Sequence, residues 1–201
     1  MKEIIPPAHA GTVHVDLQVM TGPSVRLTVV DTEGNPIAGL KTNGRSGRSS
    51  YDRDEMAKPE SEATNLMPAE ERIVLVRHEG RKLGKVVTVK TGDDANGPVV
   101  VKLAPLAAIT GRVVDADGNP VVGARVRPDV LPSGDFSLHL AEVVTTSDGR
   151  FRVPDAPTGC DYGLAVETNG SIKGRMFAYL PNAAVKPGET TDVGEIRFDR
   201  N

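Results

Sequence analysis

Tryptophan is absent from the 201 residues, and the chain holds only four Phe, three Tyr and one Cys. With so few rings, any core must be filled by Val, Leu, Ile and Ala. The single thiol, Cys160, allows no internal disulfide. Its expected role is that of a small buried hydrophobe at a strand entrance, because a reactive thiol needs a basic neighbourhood. The lack of bridges is compatible with secretion, since domains of about this size fold without them. No run approaches the roughly 20 apolar residues of a spanning helix, so membrane insertion is not expected. Net charge is only −3, with acids and bases interspersed, so there is no basic surplus to draw nucleic acid. The first residues, Met1-Lys-Glu-Ile-Ile-Pro-Pro7, lack the apolar segment of a signal peptide. The compartment is therefore unknown from the sequence.

What is present is valine, in short runs, punctuated by 21 Gly and 15 Pro. That mix favours many short strands over helices. The clearest unit is Ile109-Thr-Gly-Arg-Val-Val-Asp-Ala-Asp-Gly-Asn-Pro-Val-Val-Gly-Ala-Arg-Val126. Two β-branched runs flank Asp115–Pro120, in which Asp117-Gly118 is a strong reversal signal and Pro120 suits a turn exit. The same phrase stands 84 residues earlier, where Val29-Val30-Asp31 and Gly34-Asn35-Pro36 match Val113-Val114-Asp115 and Gly118-Asn119-Pro120. Beyond it, Pro68–Gly80 lies over Pro157–Asn169, which sets Ile73 against Tyr162. Val99–Leu103 lies over Val193–Phe198. The chain therefore reads as two repeated units, 22–104 and 105–201, preceded by an extension, 1–21, that carries a period-two strand at Val13–Val19.

Within the first unit, strands are expected near 25–30, 37–41, 72–77, 85–90 and 98–103, with a turn over Gly92–Gly97. Lys41–Ala63 shows no periodicity and is expected to be a long functional or mobile loop. The join, Ala104-Pro105-Leu106-Ala107, is short and should limit swing. In the second unit a hairpin is expected over Glu142–Val153, with Asp148-Gly149 at its tip. Asp129–Leu140 is expected to be a loop. About seven short strands per unit give an all-β fold: two tandem Ig-like, antiparallel β-sandwiches with Greek-key topology.

The run I-T-G-R-V-V-D-A-D-G-N-P-V-V-G-A-R-V, followed by T-T-S-D-G-R-F-R-V and P-T-G, resembles the carboxypeptidase regulatory-like domain family. The resemblance implies a transthyretin-like (prealbumin-like) sandwich and covers nearly all of the second unit. In the first unit it rests on V-V-D-T-E-G-N-P-I-A-G and the final strands, without the D-G-x-F hairpin. It implies a non-catalytic module used in tandem, found in larger bacterial envelope or secreted proteins, and hence an extracytoplasmic setting. Intradiol dioxygenases are similar in G-x-V-x-D-x-x-G-x-P-x-x-G-A-x-V. They bind iron through two Tyr and a close His pair, which His9, His14, His78 and His139 do not form.

The chemistry on offer is thin. Asp115-x-Asp117-Gly118-Asn119 is similar to the start of a calcium loop, but Pro120 and a strand follow where further ligands are needed. The histidines are expected to be solvated or capping, and Tyr162 and Tyr179 structural. Asn169-Gly-Ser171 matches a glycosylation sequon and also reads as a turn. The one candidate ligand or partner loop is Arg45, Arg48, Tyr51 and Arg53, where three cations and a ring share a polar segment. The expectation is no catalytic residue, no metal and no cofactor. The chain is expected to be a non-enzymatic structural or protein-interaction module, with a protein or cell-envelope partner. The alternative is a starch-binding-like carbohydrate module using Tyr51.

Overall fold

The computed structural model describes residues 22–46, 53–131, 138–169, 173–181 and 184–197. The expected strand at Val13–Val19 lies outside them. No α-helix occurs among the described residues. The first seven strands are β1 (Val25–Val30), β2 (Leu40–Asn43), β3 (Arg53–Met56), β4 (Glu60–Ala63), β5 (Arg72–His78), β6 (Leu83–Val89) and β7 (Val99–Lys102). The join forms β8 (Ala104–Pro105). There follow β9 (Ala107–Val114), β10 (Arg125–Leu131), β11 (Leu138–His139), β12 (Val143–Val144), β13 (Arg150–Ala156), β14 (Asp161–Asn169), β15 (Lys173–Leu180) and β16 (Thr190–Arg197).

The connectivity is the same twice over. One sheet runs β4-β1-β7 and its counterpart β13-β9-β16. The facing sheets run β3-β2-β5-β6-β8 and β11-β10-β14-β15, with β12 also on β10. In both units the first strand pairs antiparallel on one side and parallel with the last strand on the other. Each pair of sheets closes on an aliphatic core. Val25, Leu27 and Val29 of β1 meet Val74 and Val76 of β5 in the first. Ile109 and Val113 of β9 meet Tyr162, Leu164 and Val166 of β14 in the second.

Three expectations are corrected. Lys41–Ala63 is not one long loop, because it contains most of β2 and all of β3 and β4. β3 and β4 are short edge strands rich in Glu, Asp and Arg, and so lack the apolar alternation that announces a strand. Asp129–Leu140 is not simply a loop, since β10 runs on to Leu131 and pairs with β11. Glu142–Val153 does not close as one ladder: β12 pairs with β10 in one sheet and β13 with β9 in the other. Its tip is as expected, with Gly149 at φ +77 and no room for a Cβ, which would lie 2.5 Å from the Val113 carbonyl oxygen. β3 and β4 divide between the sheets in the same way, so the first unit has the counterpart its sequence hides.

The repeated turns are closed by their aspartates. Asp31 Oδ1 accepts from the N–H of Glu33 (2.9 Å) and of Asn35 (3.1 Å). Asp115 Oδ1 accepts from Asp117 (2.9 Å) and Asn119 (2.8 Å). Asx turns of this kind replace missing ladder bonds at a reversal.

β5 is buried on both faces. Val74 and Val76 enter the first core, while Ile73 and Leu75, with Val86 of β6, join the second. A strand covered on both sides reads as a continuous apolar run. Each such side chain taken from water contributes about 1.5–3 kcal/mol. The join is fixed at both ends: β8 pairs with β6, and Leu106 N donates to Lys82 O at 2.9 Å.

Candidate functional site

Of the expected cation loop, only Arg45 is described with its side chain. Arg45 lies just beyond the end of β2, where its Nη1 donates to Ser61 Oγ at 2.9 Å and its carbonyl accepts from Thr64 N at 2.8 Å. It ties β2 to β4. Arg53 opens β3 opposite Asn43. Arg48 and Tyr51 lie outside the described residues.

Buried polar groups serve the fold. Arg72 is 2% exposed and pairs with Glu70, Nη2 to Oε2 at 3.0 Å. Its remaining N–H groups reach the carbonyls of Gly44, Thr64 and Asn65 at 3.2–3.4 Å. Tyr162 is fully buried, and its hydroxyl donates to Pro157 O at 2.5 Å. Burial pushes its phenol well above the ordinary value. Arg72 and Tyr162 occupy the same place in the two units, each pointing inward and each holding loop carbonyls. The phase of the repeat follows from this and from the left-handed residues Ala69 (φ 59) and Gly159 (φ 99) in the preceding turns. Ile73 is therefore equivalent to Gly163, not to Tyr162. The sequence alignment was one residue out there, which exchanges the two faces of a strand.

Cys160 is buried, and desolvation raises its thiol to about 11, so it is inert as expected. His78 caps a turn of 3₁₀ helix, its Nδ1 accepting from Arg81 N at 3.1 Å. His9 and His14 lie outside the described residues, as does the side chain of His139. Of the sequon, Gly170 and Ser171 also lie outside them. Asp115 commits its carboxylate to its own turn, with Asn119 Nδ2 at 3.2 Å on Oδ2. Among the described residues no three His, Cys, Asp or Glu side chains gather as a metal group. No helix there is long and apolar enough to cross a membrane.

Tyr179 departs from the structural role expected of it. It is 63% exposed on β15, opposite Gly163. Its hydroxyl donates to Asp161 Oδ2 at 2.5 Å, and that hydrogen bond raises its pKa. The sequence places Tyr179 in a strand but does not say which face it takes. A shallow cleft of about 420 Å³ lies elsewhere, on the outer face of β1 and β4, lined by Arg26, Thr28, Glu60, Glu62 and Pro98 among others.

A built contact joins the two units. Val86 N donates to Thr158 O at 2.8 Å, so the turn before β14 adds to the edge of β6. Gly159 passes so close that a Cβ there would lie 2.3 Å from Val86 O. Lys82 Nζ meets Asp155 Oδ2 at 2.8 Å. Asp155 stands at a bulge in β13 with φ 55 and Lys82 at φ 53. The bulge turns the carboxylate toward the first unit. Gly188 N donates to Pro105 O at 3.2 Å. The arrangement fixes one unit on the other and presents no reacting group.

That repeat-built sandwich, with D-G-N-P turn and D-G-R-F tip in place, meets a known family. Residues 108–198 match the carboxypeptidase regulatory-like domain. The regulatory-like domain is thus the second unit, from β9 to β16. No curated protein matches the chain. Among solved structures, the TIE protein of Bacillus anthracis is similar at 16% identity and a TM-score of 0.39, over 90% of this chain and 34% of that one. A Streptococcal ancillary pilin is similar at 16% and 0.38, over 92% of this chain and 64% of that one. Catechol 1,2-dioxygenase from Pseudomonas arvilla C-1 is similar at 14% and 0.31, over 48% and 51%. The chain spans about a third of the length of the first of these. Likeness at this level is one of β architecture, and no activity is carried over from it.

Proposed function

We propose that the chain is a non-catalytic structural and protein-interaction module of a larger, extracytoplasmic bacterial protein. In it two sandwich units, 22–104 and 105–201, are held as one stiff body. The observation that supports this most is the double burial of β5, with Ile73, Leu75 and Val86 in the core of the regulatory-like domain. A flexible linker leaves no such shared packing, and a hydrogen-bonded one leaves little room to swing. Small-angle scattering tests it. The expected curve is that of a single rigid particle, unchanged by viscosity or salt, and a curve that fits only an ensemble of unit orientations overturns the reading.

A second reading, carbohydrate binding, now draws on Tyr179 in place of Tyr51. An exposed ring beside a side-chain-free Gly163 is the flat surface a sugar ring stacks on. Retention on polysaccharide columns, lost in Tyr179→Ala, would support it. Equal elution of both proteins would dismiss it.

A further inference from the structure

The two units carry opposite charge at equivalent open edges. β4 and β13 occupy the same outermost position in their sheets. In β4, Glu60 stands opposite Thr28 and Glu62 opposite Arg26. In β13, Arg150 stands opposite Arg112 and Arg152 opposite Thr110. Thr28 and Arg26 are 84 residues before Arg112 and Thr110, so Glu60 and Glu62 are the counterparts of Arg150 and Arg152. All four side chains are exposed. Glu60 and Glu62 have no ion-pair partner among the described residues, Arg152 has only a 3.4 Å contact to Thr190 Oγ1, and Arg150 pairs with the exposed Asp148, Nε to Oδ2 at 3.3 Å.

The backbone points the same way. Pro59 O accepts from Val29 N, and Gly149 O from Val113 N. Residues of that parity face their own sheet, so the N–H and C=O groups of Glu60, Glu62, Arg150 and Arg152 face the open edge. The Arg150 carbonyl is already taken by Thr146 N, and the Arg150 N–H donates to Asp148 Oδ1 at 3.3 Å. Pro154, exposed and of the same parity, ends the stretch that can pair. What remains is Glu60 to Glu62 on β4 and the N–H and C=O of Arg152 on β13, with like charges at i and i+2 on each edge.

We propose that β4 of one copy pairs antiparallel with β13 of a second copy. Glu60 then lies opposite Arg152, and Glu62 opposite Arg150. Because the two strands hold the same place in the same fold, an antiparallel register keeps all four side chains on one outer face and joins two three-stranded sheets into one. Charged edges ordinarily prevent such pairing. Here the signs are opposite, so the same device selects a partner. The contact is head-to-tail and leaves an acidic edge at one end and a basic edge at the other, so assembly continues with concentration. The inference rests on the interaction-module reading. The stiffness of the unit pair is measured separately by scattering on dilute monomer, so either can fail alone.

Sedimentation velocity of the full chain over a concentration series, at about 0.05 M and about 0.5 M salt, tests it. The average mass should rise with concentration at low salt and fall back toward monomer at high salt. Glu60→Lys/Glu62→Lys should remain monomeric, and so should Arg150→Glu/Arg152→Glu. Circular dichroism checks that both are folded. Mixing the two variants should restore association, because each then offers edges of the sign the other lacks. A wild-type chain that stays monomeric at low salt overturns the proposal. So does association that survives either reversal, or a mixture of folded variants that stays monomeric.

Discussion

Asp31 shows how one side chain can be both legible in sequence and consequential for stability. Burial alone would raise its pKa. The N–H groups of Asn35 and Glu33 and the Arg81 guanidinium, 3.0 Å from Oδ2, outweigh burial and hold it below the ordinary 3.8. A carboxyl depressed in the folded state stabilises fully above its unfolded value. That contribution is lost as pH falls through 3.8 toward the folded value. Urea midpoints measured from pH 7 down to pH 3 should therefore fall less steeply in Asp31→Asn than in the wild type. Cys160 offers a second check at this scale. With its thiol at about 11 and its side chain buried, it should react with an aromatic disulfide only after unfolding in urea. Rapid reaction of the native protein would contradict its placement. The repeated D-x-x-G-N-P marks the reversal without saying what Asp31 binds, whereas the cysteine's role is readable from its isolation beside a strand.

At the scale of elements, legibility depended on whether a strand has one wet face. β1 alternates and lies where the sequence sets it, Val25–Val30. β5 has no wet face, so nothing in Arg72-Ile-Val-Leu-Val-Arg77 sets its phase. That is why Ile73 was laid over Tyr162. β3 and β4 failed for the opposite reason, being charged edges with little to bury. Of the candidate site, only Arg45 is described with its side chain, and there it bonds Ser61 of β4. Arg72 went unnoticed, since a buried arginine at a strand start looks like any flanking charge. Its removal takes the cation from Glu70, which keeps only acceptor contacts such as the Met67 N–H, and the guanidinium from three carbonyls. Arg72→Met should lower stability by about 3–5 kcal/mol in urea titrations. Replacing Glu70 by Leu as well should not recover it, because the carbonyls of Gly44, Thr64 and Asn65 remain unsatisfied.

At the scale of the whole molecule, the two cores are coupled through β5 and β6. Calorimetry should show one transition for the wild type. Leu75→Asp, which buries a charge where the regulatory-like domain packs, should split it in two and lower the first. Two transitions in the wild type would mean that the units unfold independently. One further consequence lies in the order of the strands. In each unit the first and last strands, β1 with β7 and β9 with β16, lie side by side and parallel. Tension applied to the ends of either unit therefore loads that whole ladder in shear, so its hydrogen bonds must break together and cannot peel one by one. A chain wired in this way resists extension far better than its modest core would suggest.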